Sequence, residues 1–98
     1  MSKELKTYLD TINQNFEILK TRFNVKKIAI FGSTVRNQNT KKSDIDIIVE
    51  LIEPIGLFDF IRLEAFLSKI LGKKIDLTTK QALKPTIKKA VLKEAIYA

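Results

Sequence analysis

Two carboxylates interrupt an apolar segment of this chain. Residues 44–51 read DIDIIVEL, so Asp44 and Asp46 lie in a run of Ile, Val and Leu that is typical of a β-strand. Side chains two residues apart on a strand point to the same side, with backbones about 6.6 Å apart. At an effective dielectric near 20, two such charges about 5 Å apart repel by roughly 3 kcal/mol. Something should therefore neutralise the pair.

A divalent cation is one way to neutralise these carboxylates, because Mg²⁺ binds carboxylate oxygens and keeps positions for phosphate and water. The alternative is that Asp44 caps the turn before the strand and Asp46 pairs with a nearby lysine. Both interpretations are open from the Asp-x-Asp pattern alone.

Three further features favour the cation. Gly32 and Ser33 follow an apolar strand at 25–31, where a glycine lets a phosphate approach the backbone and N–H groups at a helix start bind anions. Arg36 lies one helical turn beyond Ser33 and is placed to reach the same phosphate. Asp76 lies in a third strand between Ile75 and Leu77 and faces away from them. It could supply a further ligand to the cation, and it is the natural candidate for a general base.

The composition removes several other chemistries. The 98 residues include no cysteine and no histidine. Thiolate nucleophiles, Ser-His-Asp catalysis and the commonest zinc ligands are therefore excluded. Any catalysis must use carboxylates, hydroxyls, Lys, Arg and a bound ion.

Length and charge give further expectations. The length predicts one domain, residues 1–98. No apolar run reaches the roughly 18 residues that span a bilayer, and the N-terminus lacks the pattern of a signal peptide, so we expect a cytoplasmic protein without membrane contact. The net charge is +7, and residues 25–43 hold five Lys or Arg and no acidic residue. This balance favours an anionic partner such as nucleic acid, a polyphosphate or an acidic protein surface, although a solvated lysine-rich surface would have the same composition.

The hydrophobic pattern predicts alternating helices and strands. The predicted order is α-β-α-β-α-β-α with at least three strands, and neither the direction of the strands nor their order in the sheet follows from it. The predicted elements are a helix at about 3–22, a strand at 25–31, a short helical turn at 33–37, a strand at 44–51, a helix at about 57–71, a strand at 73–79 and a last helix at 85–98.

The helix at 57–71 offers a possible docking surface. Its spacing places six residues on one broad apolar face: Phe60, Leu63, Phe66, Leu67, Ile70 and Leu71. Phe58 and Ile61 fall outside that face, which indicates core packing of a terminal helix, a crystal contact or an interface with a partner. Tyr97 is either an anchor at the end of the last helix or a partner contact.

The spacing of these residues resembles a known family. Gly32-Ser33, ten intervening residues and Asp44-x-Asp46 are similar to the Gly-Ser-x10-Asp-x-Asp signature of the polymerase-β-like nucleotidyltransferases, with Asp76 similar to their third acidic residue. The ending from Lys74 to Ala98 resembles the C-terminus of the minimal nucleotidyltransferases, the antitoxins of HEPN-domain ribonuclease toxins. The resemblance implies an α+β fold with a small mixed sheet.

The resemblance also implies a role for each site residue. Gly32 and Ser33 would hold the triphosphate of ATP. Asp44 and Asp46 would bind two Mg²⁺ ions, and Asp76 would complete one metal site and activate the acceptor hydroxyl. Members of the family transfer AMP from ATP to a tyrosine of the HEPN toxin and so neutralise it. A hetero-oligomer with the toxin is therefore expected.

Two other functions remain open from the sequence. The chain could neutralise a toxin by direct binding without catalysis. It could also be a basic DNA-binding regulator, although no helix-turn-helix spacing is present and nucleic acid is not the favoured partner.

Overall fold

The computed structural model describes residues 1–98 and places four helices against a four-stranded sheet. The elements in chain order are α1 (Lys3–Gln14), α2 (Phe16–Phe23), β1 (Val25–Phe31), β2 (Ile45–Leu51), α3 (Leu57–Leu71), β3 (Ile75–Thr79), α4 (Pro85–Glu94) and β4 (Ile96–Tyr97). Short 3-10 turns follow β1, at Gly32–Thr34, and β3, at Lys80–Ala82. The predicted α+β class is confirmed. None of the helices is both long enough and apolar enough to cross a bilayer.

The sheet is mixed, with the strand order β3-β2-β1-β4. β1 pairs antiparallel with both β2 and β4, while β2 and β3 are parallel and are connected through α3. The carboxyl end of β1 therefore lies beside the amino ends of β2 and β3. Those three strand ends carry the residues singled out by the sequence.

The core lies on one side of this sheet. Alternate residues of β1, β2 and β3 point toward α1, α2 and α3, and they form one buried cluster with the apolar faces of those helices. The strand residues of this cluster are Val25, Ile28, Ile30, Ile45, Ile47, Val49, Ile75 and Leu77. The intervening residues, including Asp46 and Asp76, project from the opposite side of the sheet.

Two of the predicted helices have wrong bounds, and the strands predicted at 44–51 and 73–79 begin at Ile45 and Ile75. The helix predicted at 3–22 is broken at Asn15, whose backbone leaves helical geometry (φ −107°, ψ 10°) and whose Nδ2 donates to the carbonyl of Thr11 at 2.8 Å. An asparagine side chain competes for backbone carbonyls, which explains the break. The last helix ends at Glu94 instead of reaching 98, because Ile96 and Tyr97 turn outward and pair with β1.

The helix at 57–71 has the predicted bounds. Gly56 lies at its N-cap, and it ends at Gly72 in a left-handed conformation (φ +69°). Leu63, Leu67 and Leu71 are buried, whereas Phe58 and Ile61 are 74% and 51% exposed, so the predicted division of this helix into an apolar face and outlying residues is confirmed.

Candidate active site

The site is built from one row of residues that crosses the sheet. Asp46 of β2 is in register with Asp76 of β3 on one side and with Phe31 of β1 on the other. Side chains on directly opposed residues of neighbouring strands point to the same face. The two carboxylates therefore stand side by side on the face that α1, α2 and α3 leave uncovered. The structure thus brings together Asp46 and Asp76, two of the three predicted carboxylates, from separate strands.

Gly32 lies against Asp46. The chain leaves β1 at Gly32 with φ +76°, in the left-handed region that favours glycine. A Cβ at this position would overlap Asp46 Oδ2 and would lie 2.9 Å from its Cγ. Only glycine permits both this turn and this approach, so the Gly-Ser turn and the Asp-x-Asp strand are fitted to each other.

The electrostatics of the site centre on Asp46. Burial raises the pKa of its carboxyl, and the negative charge of Asp76, a hydrogen bond with Asp76 and the charge of Asp44 raise this pKa further. The guanidinium of Arg36 opposes the shift. The site therefore concentrates more negative charge than its own residues neutralise, and a cation there would be favoured.

Asp44 contributes to this charge from a different position. It lies one residue before the first residue of β2, so it precedes the strand on which it was predicted. Its charge acts on Asp46, but no group of three acidic side chains is drawn together closely enough to hold an ion. The donor set still suits Mg²⁺, which prefers oxygen ligands, with Asp46 and Asp76 adjacent and Asp44 nearby.

Ser33 and Arg36 lie on the turn that follows Gly32. Ser33 is in the 3-10 turn at Gly32–Thr34, where the first N–H groups have no partner within the turn. The Arg36 side chain is half exposed, and its Nε donates to Gln38 Oε1 at 3.1 Å. Both residues therefore belong to the turn that the sequence predicts to bind the triphosphate.

The structure adds one residue that the sequence does not reveal. Glu94, the last residue of α4, accepts a hydrogen bond from the Gly32 N–H at 3.0 Å and another from Arg36 Nη1 at 2.6 Å. It is 62 positions from Gly32 in sequence. No spacing rule connects the two, because the contact depends on how α4 and β4 return to β1.

Comparisons with known proteins identify the family of this chain. A family model described as a nucleotidyltransferase domain matches residues 12–98. A Thermococcus cleftensis protein named protein adenylyltransferase MntA is 44% identical over 79 residues, which are 81% of this chain and 80% of that protein. A Methanocaldococcus jannaschii protein, provisionally named a protein adenylyltransferase, is 46% identical over 96 residues. The match covers 97% of this chain and 98% of that protein.

Solved structures share the fold. A structure provisionally assigned as a minimal nucleotidyltransferase has a TM-score of 0.73 and 32% identity, with 90% of this chain and 93% of that chain covered. A complex of a tri-AMPylated Shewanella oneidensis HEPN toxin with an MNT antitoxin has a TM-score of 0.66, and 92% of this chain and 70% of that chain are covered. At 19% identity, that second likeness shows the fold alone. The chain belongs to the nucleotidyltransferase domain family, as one of its minimal members.

Proposed function

We propose that this protein is a Mg²⁺-dependent adenylyltransferase antitoxin. It transfers AMP from ATP to a tyrosine hydroxyl of a cognate HEPN-domain toxin and thereby neutralises that toxin. The observation that carries the proposal is the contact of Gly32 with Asp46, beside Asp76, because it joins a phosphate-binding turn to a pair of carboxylates. The adenylyltransferase names of close relatives, and the fold shared with an antitoxin bound to an AMPylated toxin, support it.

Different residues of the site bind the nucleotide and accept the proton. Gly32 lets the triphosphate approach the turn, and Ser33 and Arg36 bind it through a backbone N–H group, a hydroxyl and a guanidinium. The tyrosine Oη attacks the α-phosphorus of ATP, the new Oη–P bond forms, and the bond from the α-phosphorus to the bridging oxygen breaks with release of pyrophosphate. Asp76, exposed at the edge strand β3, accepts the phenolic proton.

Asp44, Asp46 and Asp76 would hold the magnesium. Bound Mg²⁺ supplies charge stabilisation to the attacking and departing oxygens of such a displacement. The chain's own contribution is the adjacent pair Asp46 and Asp76, with Asp44 nearby, whose mutual repulsion favours occupancy by a cation.

The test is transfer of label from α-phosphate-labelled ATP to a candidate cognate HEPN protein from the same organism, in the presence of Mg²⁺. We expect label on the wild-type toxin, none on a toxin whose acceptor tyrosine is replaced by phenylalanine, and none with Asp46→Asn. Glu53→Gln is the matched control, because Glu53 is exposed beyond the far end of β2 and makes the same change in charge. It should transfer at the wild-type rate.

Other outcomes of this assay would contradict the proposal. A tight complex that protects RNA without any transfer of label would favour direct neutralisation. Full activity in Asp46→Asn would contradict the role of this carboxylate in holding the metal.

A further inference from the structure

Glu94 accepts hydrogen bonds from two parts of the proposed phosphate-binding turn, the Gly32 backbone and the Arg36 side chain. Its Oε2 accepts from the Gly32 N–H and its Oε1 accepts from Arg36 Nη1, so one carboxylate holds the backbone of the turn and the side chain three residues beyond Ser33. The Glu94 side chain is 23% exposed, so the pair is partly shielded from water. Charge-assisted hydrogen bonds of this kind are stronger than neutral ones.

The position of Glu94 follows from the sheet. β4 pairs with β1 so that Ile30 faces Ile96 and Ala29 faces Tyr97. If the same register continued for two more residue pairs, Gly32 would lie opposite Glu94. The backbone at Glu94 is still helical, and its side chain supplies the acceptor that a longer β4 would have supplied through a carbonyl group. The Gly32 N–H is thus satisfied from the β4 side, while Asp46 contacts the same glycine from the β2 side.

The two contacts of Arg36 leave one end of its guanidinium unused. Nη1 is bonded to Glu94 and Nε to Gln38, whereas Nη2 makes no hydrogen bond within the protein. A half-exposed arginine ordinarily loses side-chain entropy when it binds an anion. In the free protein the Arg36 side chain is already held in one conformation, and its Nη2 is left to donate to an anion.

We propose that Glu94 is a positioning residue for the triphosphate, acting through Arg36 and Gly32. This inference rests on the proposed function, since it concerns how the same site binds its nucleotide. Glu94 touches neither the nucleotide nor the acceptor. It fixes the guanidinium and the glycine turn in the arrangement that receives the phosphates.

The test is calorimetric titration of ATP and of inorganic tripolyphosphate into wild type and variants, in buffer containing Mg²⁺ and at a temperature where circular dichroism shows each variant folded. Glu94→Ala should weaken both ligands by about three- to tenfold, the cost of ordering one long side chain on binding. Glu94→Gln, which keeps a single neutral acceptor, should lose less. Glu53→Gln should bind like wild type.

A double-mutant cycle tests whether the effect passes through Arg36. Glu94→Ala should weaken binding less in an Arg36→Ala background than in the wild type, with any remaining loss due to the Gly32 contact. In the transfer assay, Glu94→Ala should raise KM for ATP and keep kcat within about twofold, because a contact present before and during reaction contributes uniform binding. A purely structural role would lower the active fraction, and hence kcat, with KM unchanged.

Three results would overturn the inference. The first is tighter tripolyphosphate binding by Glu94→Ala, which would mean that the carboxylate competes with phosphate. The second is unchanged binding, and the third is an equal loss in the Arg36→Ala background. Each of these leaves the proposed function intact when the wild type binds ATP, whereas a wild type that binds neither ligand would overturn the proposed function as well.

Discussion

At Gly32 the backbone takes a φ of +76° directly beside the Asp46 carboxylate, so two separate constraints act on one residue. The left-handed conformation alone costs a non-glycine residue about 1–2 kcal/mol. A side chain would additionally displace Asp46 from its place beside Asp76. The two constraints affect different properties: the first affects stability, and the second affects the site.

Gly32→Ala should therefore lower stability and abolish activity. We expect a fall of about 1–3 kcal/mol in the free energy of unfolding, because the left-handed strain is joined by movement of Asp46. Label transfer to the toxin should be lost. Urea denaturation and the transfer assay measure the two effects separately.

Gly72→Ala is the matched control. Gly72 has a similar φ of +69°, but a Cβ there would have no atom within 4 Å. This variant should show the stability loss of the left-handed conformation and keep its transfer activity. Equal activity in the two alanine variants would contradict a functional contact between Gly32 and Asp46.

At the scale of elements, the parallel pairing of β2 and β3 places like charges opposite each other. Such cross-strand pairs destabilise a sheet unless a cation or a proton separates them. The raised pKa of Asp46 reflects this repulsion together with burial. A group whose pKa is raised by folding stabilises the fold below its ordinary pKa, and that contribution is lost as pH rises through the raised value. The metal-free fold is therefore weakened as this carboxyl ionises.

Asp46→Asn should therefore stabilise the metal-free protein while it removes activity. The expected gain is a few tenths to about 1 kcal/mol at pH 7, the range for one cross-strand pair. Urea denaturation in EDTA, repeated at pH 7 and at about pH 4, measures it, and the difference between variant and wild type should shrink at the lower pH. A variant less stable than wild type at pH 7 would show that the Asp46 carboxylate is not under repulsive strain.

The elements differ in how far the sequence could predict them. The strands β1 to β3 and the helix α3 follow from apolar periodicity, because each buries one face against the core. The break at Asn15 depends on a side chain that captures a backbone carbonyl, and periodicity does not register that event. β4 has only two residues, too few to show any period, and it forms because β1 offers it an open edge.

The candidate site shows the same division. Gly32, Ser33, Asp44 and Asp46 could be predicted because they lie on one continuous strand-turn-strand segment with a recognisable spacing. Asp76 could be predicted from the apolar residues on either side of it. Glu94 could not, since its contacts arise only when α4 and β4 dock 62 positions away in sequence.

Across the whole molecule, positive charge surrounds an acidic centre. The net charge is +7, yet the strand ends at the site carry carboxylates. Lys41 and Lys42 are exposed on the loop that leads directly into Asp44 and β2. Lys26 and Lys27 are also exposed, but they lie at the opposite end of β1 from Gly32. The two lysine pairs are equal in charge and differ in their distance from the site.

This difference predicts that only one pair contributes to nucleotide binding. Replacing Lys41 and Lys42 with glutamine should weaken ATP binding by about two- to fivefold at low salt, because unit charges about 10 Å apart still interact at low ionic strength. The same change at Lys26 and Lys27 should have little effect. Titrations at low and at about 0.5 M salt should show the first loss disappearing as screening increases. Equal losses from both pairs would mean that ATP responds to net charge alone, and the position of the loop beside Asp44 would then carry no electrostatic role.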